Sequence, residues 1–394
     1  MDSKKDLTGL KITIVGQSSY DGSGVGGSAR LKNMINIFLN LGLDVDFISY
    51  SFFSNKFGIE KKNEGSFKTT VLHVPAKLPK FLKPLLICPV FYFTLISCRD
   101  SDVLFSDFIT EVAYVPSVIL GKFFNKPVIL DLIDLNFFKK TEIIRRNFIK
   151  KADMIFAISH YLFNQAKNQY HCKNVVYMPN FINTNLFKFD RELREIKRKE
   201  LELKTEDIVI GYTGSFAKYE GISVLINAFK ILKNKHPQIK LAIMGKNYFS
   251  GEENMENLLK GIDVKNDIVL IPPQPYENVP HFLSAFDILS CTKIDCEINR
   301  VANPIKVTEY LSMGLPTVCS AVGGIVDTVD DDVTGFLVIP GDVESLVEKI
   351  EWIINNPEVS YEIAGNGRKK ALNNYSYSSI QKSVKRSLCK VIKK

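Results

Sequence analysis

The sequence predicts two doubly wound α/β domains facing across a cleft. Three observations carry this. Short apolar strands alternate with amphipathic helices through the first half. A charged run, Arg191-Glu-Leu-Arg-Glu-Ile-Lys-Arg-Lys-Glu200, then breaks the pattern, and at Ile208 the alternation starts again. With 394 residues the chain is long enough for two such domains and too long for one simple core.

Lys11–Val15 is a near-continuous apolar strand, as expected where both faces of a parallel sheet are covered. A glycine-rich loop follows, then a helix carrying Leu31, Met34, Ile35, Phe38 and Leu39 on one face and stopped by Gly42. Val45–Ser49, Val103–Phe105, Pro127–Leu130, Met154–Ile158 and Val175–Met178 continue the first sheet. In the second half the strands are Ile208–Tyr212, Ile239–Met244, Ile268–Ile271, Ile288–Ser290 and Thr317–Ser320; Leu225, Ala228, Phe229 and Leu232 mark a helix face. This divides the chain into an N-terminal domain over 1–185, a solvated linker helix over 186–206 and a second domain over 207–374. The basic segment 375–394 reads as a helix that packs back on the first domain. In such folds the ligand lies at the carboxyl ends of the strands.

Composition narrows the function classes. The chain is 45% hydrophobic and 24% charged, ordinary for a globular protein. Its net charge of +8 suits anionic nucleotides or an anionic membrane face but is spread too widely for a nucleic-acid stripe. Seven cysteines, an odd number without a C-x-x-C pair, indicate neither a disulfide framework nor a zinc site, and five scattered histidines add no metal motif. Reduced cytosolic thiols are the default, and the polar Met1–Asp6 leading into a strand is not a signal peptide. Pro84–Ser97 is the most lipid-like segment. It is too short to span a bilayer, and a buried helix is the first reading. A peripheral membrane contact, aided by Lys77, Lys80 and Lys83, is the second.

The stretch Asn303–Val318 carries the strongest chemistry. Asn303 is a favourable N-cap, Pro304 suits the first helical position, Gly314 can end the helix and Pro316 stops its continuation. Val307, Tyr310, Leu311 and Gly314 fall on one face. Lys306 and Glu309 lie near the N-terminal end, where unpaired N–H groups favour a phosphate. Lys306 adds a point charge and Glu309 can accept hydrogen bonds from vicinal hydroxyls. Read alone, the same residues equally describe a surface helix with a solvated Lys–Glu pair.

Other motifs are weaker singly. Gly22–Gly27 matches G-x-G-x-x-G formally, but six residues separate it from its strand and the second strand lacks a terminal acid, which argues against a dinucleotide. A loop whose N–H groups approach a phosphate or an acceptor, with Gly26 and Gly27 nearest the helix, fits better. Asp100-Ser-Asp102 precedes its strand and reads as a surface turn, whereas Asp134, Ser159 and Asn180 all follow strands; caps and turns account for them almost as well. Gly214, Ser215 and Lys218 follow the first strand of the second half, and Gly245 and Lys246 follow the next, so either lysine can meet a diphosphate.

With these motifs in view, the chain resembles retaining GT-B glycosyltransferases of the family 4 type, also described as glycosyl transferases group 1. The likeness rests on Tyr212-Thr-Gly-Ser-Phe216 with Gly221, Leu225–Phe229, Pro304-x-Lys306-x-x-Glu309-Tyr310-x-x-x-Gly314-x-Pro316, Val322-Gly-Gly324 and Thr334–Asp342. In the first half it rests on Gly26-Gly27 and Ala152–Ser159. The resemblance implies a GT-B fold and transfer of a sugar from a UDP- or GDP-linked donor, with retention. The acceptor would be a saccharide or lipid-linked saccharide in surface polysaccharide or glycoconjugate synthesis, without metal or other cofactor. It places Lys306, Glu309 and Asp134 at the chemistry, with Gly214, Ser215, Lys218, Gly245, Lys246 and Tyr310 around the donor. Gly26, Gly27, Ser159 and Asn180 fall on the acceptor side or phosphate loop. Glu309 would bind the donor ribose as the later carboxylate of an E-x7-E pair.

The chain also departs from the family pattern. The earlier carboxylate maps to Val301, the usual Arg and Lys fall on Ser215 and Glu220, the usual His-Asp is Ile133-Asp134, and Asn180-Phe181 replaces Asn-Gly. These departures keep a non-catalytic GT-B partner subunit in view, beside a sugar-nucleotide epimerase or a phosphorylase of the same architecture. The sequence leaves the sugar, the base and the acceptor open.

Overall fold

The computed structural model describes residues 6–17, 27–54, 57–75, 85, 87–133, 142–246 and 255–392. These form two compact units, one of residues 1–181 with 377–394 and one of residues 182–376. Each is a mostly or wholly parallel sheet wrapped by helices, the doubly wound class that the strand alternation predicts.

In the first unit β1 (Lys11–Gly16) leads to α1 (Gly27–Asn40), then β2 (Asp44–Ser54), β3 (Gly58–Glu64) and β4 (Phe67–Pro75). There follow α2 (Ile87–Asp100), β5 (Val103–Asp107), α3 (Glu111–Phe123), β6 (Val128–Leu132) and α4 (Glu142–Ile149). The unit's sheet is completed by β7 (Met154–Ala157), α5 (His160–Asn164) and β8 (Val175–Tyr177). Strand order is β3-β4-β2-β1-β5-β6-β7-β8, with only β3 antiparallel to its neighbour among these strands. Ile12 and Ile14 of β1, flanked by β2 and β5, are wholly buried, each worth roughly 1.5–3 kcal/mol against exposure.

In the second unit α6 (Arg191–Glu200) precedes β9 (Ile208–Ser215), α7 (Ile222–Lys235) and β10 (Ile239–Lys246). The short α8 (Met255–Leu258) and α9 (Val264–Asp267) lead to β11 (Ile268–Ile271), α10 (Val279–Leu283), β12 (Ile288–Cys291) and α11 (Glu297–Val301). Then come α12 (Ile305–Met313), β13 (Thr317–Ser320), α13 (Ile325–Thr328), β14 (Phe336–Val338), α14 (Val343–Asn355) and α15 (Pro357–Asn374). Strand order is β11-β10-β9-β12-β13-β14, all parallel.

The segment read as a linker over 186–206 is instead part of the second unit. Its charges are not all solvated. Arg194 and Arg198 on α6 both pair with Asp287, at 2.6 and 3.2 Å, and Arg198 is buried. Asp287 also accepts the Val209 N–H at 2.7 Å, which ties α6 to the start of β9. The C-terminal α16 (Tyr377–Val391) belongs to the first unit, burying Ile380, Val384 and Leu388 in the core that includes Leu31, Ile35 and Phe38 of α1.

The lipid-like segment is not a buried helix. On α2, Val90, Thr94 and Cys98 are buried while Tyr92 and Ile96 are 57% and 50% exposed, so only one face packs. Lys77, Lys80 and Lys83 lie outside the described residues. Among the described residues no helix is long and apolar enough to cross a membrane, and all seven cysteines are free.

Candidate functional site

The second sheet changes direction between β9 and β12. From β9 the chain builds outward through β10 and β11, and the later strands β12, β13 and β14 extend the other side. Loops at the carboxyl ends of such a pair part, leaving room for a ligand. Gly214 and Ser215 end β9, and Thr292 and Lys293 follow β12 directly.

Three charged side chains meet there. Glu220 is buried and bridges the buried Lys293 and the partly exposed Lys306, its Oε1 accepting from Lys293 Nζ at 2.6 Å and its Oε2 from Lys306 Nζ at 2.8 Å. Lys293 also donates to Asn299 Oδ1 at 3.2 Å. The amide of Asn299 donates to the Tyr219 and Ile294 carbonyls at 2.7 and 2.8 Å, so α11 anchors both loops. Lys306 Nζ lies 4.6 Å from the centre of the Tyr212 ring, a cation–π contact. Burial alone would push Glu220 up, but Lys306 and Lys293 reverse this and hold it at about 2. Burial likewise pulls Lys306 down, and the Glu220 carboxylate overrides it, leaving the ammonium well above its ordinary value. Two cations against one anion leave the cluster with one net positive charge.

Gly214 makes the cluster accessible to a close partner. Its φ of +146° suits glycine, and a Cβ there would stand 2.5 Å from Lys306 Nζ. Ser215 contributes its carbonyl, which accepts the Tyr212 hydroxyl at 2.6 Å. At Gly245 a Cβ would collide with the Gly214 carbonyl, so the two strand ends lie against each other.

Helix α12 carries the other predicted groups. It starts at Ile305, with Pro304 at the cap position and no side chain capping it, so Asn303 is not the N-cap that the sequence suggests. Gly314 does close the helix, at φ +70°. Tyr310 is buried, and its hydroxyl meets both the backbone N–H and the Oγ1 of Thr213 at 2.9 Å, fixing α12 to β9. Glu309 is only 5% exposed, and its Oε1 has no hydrogen-bond partner among the described residues. Burial raises this carboxyl to about 7, opposed by the Tyr276 hydroxyl and Lys306.

A carboxyl held at about 7 when folded and 4.5 ordinarily keeps a proton that the unfolded chain releases, so stability falls as pH rises through that window. Glu309→Gln is therefore expected to melt above the parent at pH 8, by up to roughly 3 kcal/mol of added stability, and by less at pH 5. Thermal melts at both pH values measure this, and equal melting at pH 8 would contradict the burial argument.

The remaining predicted residues are placed differently. Lys218 opens a short 3-10 turn ending at Glu220, and both Lys218 and Lys246 are exposed. In the first unit Gly27 opens α1 and Asn180 is buried after β8. Ser159 caps α5, its Oγ accepting the Leu162 N–H at 3.3 Å. Asp134 and Gly26 lie outside the described residues. Sequence reasoning did not single out Lys293 or Asn299, and it noted Glu220 only as a departure from the family's lysine. The placement of Lys293 just after β12, matching that of Gly214–Ser215 after β9, was the available signal.

Comparison with known proteins bears on the fold and on the second unit's family likeness. Residues 194–370 match the model of the family described as glycosyl transferases group 1. The capsular polysaccharide biosynthesis glycosyltransferase CapM of Staphylococcus aureus is 29% identical over 189 residues, 48% of either chain. A trehalose synthase of Pyrococcus horikoshii is 27% identical over 240 residues, covering 58% of this chain and 55% of that one. The chain thus spans about half the length of the curated relatives it matches. Among solved structures, Anabaena HepE in complex with UDP aligns with a TM-score of 0.77 at 19% identity, covering 97% of this chain and 100% of that chain. Sucrose-phosphate synthase from Thermosynechococcus elongatus aligns with a TM-score of 0.75 at 16% identity, covering 97% and 98%. At such identities the likeness shows the fold, which is GT-B. The match lies within the second unit, where residues 194–370 are similar to the glycosyl transferases group 1 family.

Proposed function

We propose that this protein is a retaining glycosyltransferase that moves a sugar from a nucleoside diphosphate donor to a saccharide or lipid-linked saccharide acceptor. The observation that carries this reading is the Lys293–Glu220–Lys306 cluster at the switch point of the second sheet. One net positive charge, shielded from water and beside the uncapped start of α12, fits a diphosphate. The buried Glu309 oxygen, without a partner among the described residues, fits a ribose hydroxyl donor. HepE has been crystallised with UDP and with UDP-glucose, which supports a uridine donor, while guanosine remains the alternative. The name of CapM supports a place in polysaccharide synthesis.

In this reading the residues act by electrostatics. As the bond from the sugar to the diphosphate breaks, charge grows on the leaving phosphate, where Lys306, Lys293 and the backbone N–H groups of α12 stabilise it. The acceptor hydroxyl then attacks the oxocarbenium-like sugar on the face the diphosphate leaves, passing its proton to the departing phosphate oxygen, and exclusion of water suppresses hydrolysis. No nucleophile is assigned. Two ammonium groups supply the countercharge, so no divalent ion is required. The outward-facing Tyr92 and Ile96 of α2 favour a lipid-linked acceptor met at a membrane face.

NMR of the product formed from an α-linked nucleotide sugar tests the reading. The expected product carries the α anomer and forms at the same rate with EDTA present. A β product, or a rate abolished by chelation, would contradict it.

A further inference from the structure

A cavity of about 350 Å³ opens on the second unit where α12 ends. Met313 and Leu315, both buried, give it an apolar inner lining. Phe189, just ahead of α6, and Tyr361 of α15 add aromatic rings that are 39% and 46% exposed. Gly365 of α15 keeps the space open, since a Cβ there would meet nothing within 4 Å. A helix rises 1.5 Å per residue, so Gly314, also in the lining, stands roughly 12 Å along α12 from Lys306. The cavity is therefore separate from the Lys293–Glu220–Lys306 cluster.

Its charge comes from Arg368 and the exposed Lys188. Nη1 of Arg368 donates to the Ser312 carbonyl and to that of Phe187, the latter at 3.3 Å, which satisfies the end of α12 and orders the guanidinium. Among the described residues no carboxylate pairs with Arg368 or with Lys188. Other cations of this unit do find one: Lys349 pairs with Asp332 at 2.9 Å and Lys370 with Asp330 at 2.8 Å. Asp190, the acid next to Phe189, is engaged in capping α6, where it accepts the Leu193 N–H at 3.0 Å. Partial burial pulls Arg368 below its ordinary value, with no carboxylate to offset it.

We propose that this cavity is a binding site for a small aromatic carboxylate. The free edge of the Arg368 guanidinium matches a carboxylate in shape and charge, and Lys188 adds a second cation. A ring carried by the ligand can stack against Phe189 or Tyr361 while its inner edge covers Met313 and Leu315. A sugar would leave those two apolar side chains facing hydroxyls. The volume lies at the small end for ligand cavities, enough for one ring with its charged group.

Saturation-transfer NMR on the full chain tests this, with benzoate, phenylacetate and the neutral benzyl alcohol as probes. The proteins are the parent, Gly365→Leu and Lys188→Gln. Gly365→Leu fills the open space and replaces a mid-helix glycine by a better helix former, so it is expected to fold and to melt no lower than the parent. Lys188→Gln alters an exposed side chain and should leave the fold intact. At least one of the two carboxylates should bind the parent saturably, and benzyl alcohol about tenfold more weakly or not at all. Gly365→Leu should abolish the binding and Lys188→Gln should weaken it severalfold. Binding of neither carboxylate to the parent, equal binding to the parent and Gly365→Leu, or benzyl alcohol bound as well as the carboxylates would overturn the site. Displacement of the bound carboxylate by UDP would place it at the Lys306 cluster and overturn the site as well. The other readouts need no nucleotide, so they stand whether or not the chain transfers sugars.

Discussion

Lys306→Met is expected to abolish nucleoside diphosphate binding and to lower the transfer rate by about 10²- to 10³-fold, the cost of removing one well-placed donor from a developing anion. The charge balance gives the reason. In the parent, Lys293 and Lys306 outweigh Glu220 by one charge; in the variant, Lys293 and Glu220 form a neutral pair at 2.6 Å and nothing is left over for the diphosphate. The same pairing keeps the variant folded, since neither remaining buried charge is orphaned. A folded Lys306→Met protein that binds the nucleotide as the parent does would remove Lys306 from the site. Initial-rate assays and calorimetric titration measure the two effects.

Glu220→Gln should behave in the opposite way. It leaves the buried Lys293 and the partly exposed Lys306 without a counter-charge, which costs about 3–5 kcal/mol. For a unit of this size that lowers the melting temperature by on the order of 10 °C. A bound diphosphate replaces the missing negative charge, so nucleotide should raise the melting temperature of the variant by more than that of the parent. The pH dependence differs as well. Glu220 sits at about 2 in the fold and 4.5 ordinarily, so the stability it contributes is present above 4.5 and lost as pH falls towards 2. The variant lacks that component of acid unfolding. Melts of both proteins with and without UDP and GDP check this; a variant as stable as the parent would show that the ion pairs contribute little.

Much of the fold was legible because buried parallel strands leave a local mark. β1 and β9 read as continuous apolar runs since both faces are covered, and the apolar stripe of α1 survived intact into the core. The missed β3 is an exposed, charged edge strand with no apolar face to betray it, and β14 is three residues long. The site was legible only in part. Lys306 and Glu309 stood out because one helix carries both, but the partners of Lys306 come from elsewhere. Glu220 is 86 residues from Lys306 and 73 from Lys293, separations with no periodicity to read. Lys218 and Lys246 were chosen for their nearness to strand ends, yet both side chains are exposed. The charges of α6 misled for the same reason, since Asp287 pairs with Arg194 across 93 residues.

The second unit is expected to bind a nucleoside diphosphate through the Lys293–Glu220–Lys306 cluster. Isothermal titration of UDP and GDP into the parent and Lys306→Met proteins, with EDTA present, tests it most directly. One of the two nucleotides is expected to bind the parent saturably at one site and to give no binding heat with the variant. Binding of neither nucleotide to folded parent protein, or equal binding to both proteins, would contradict it.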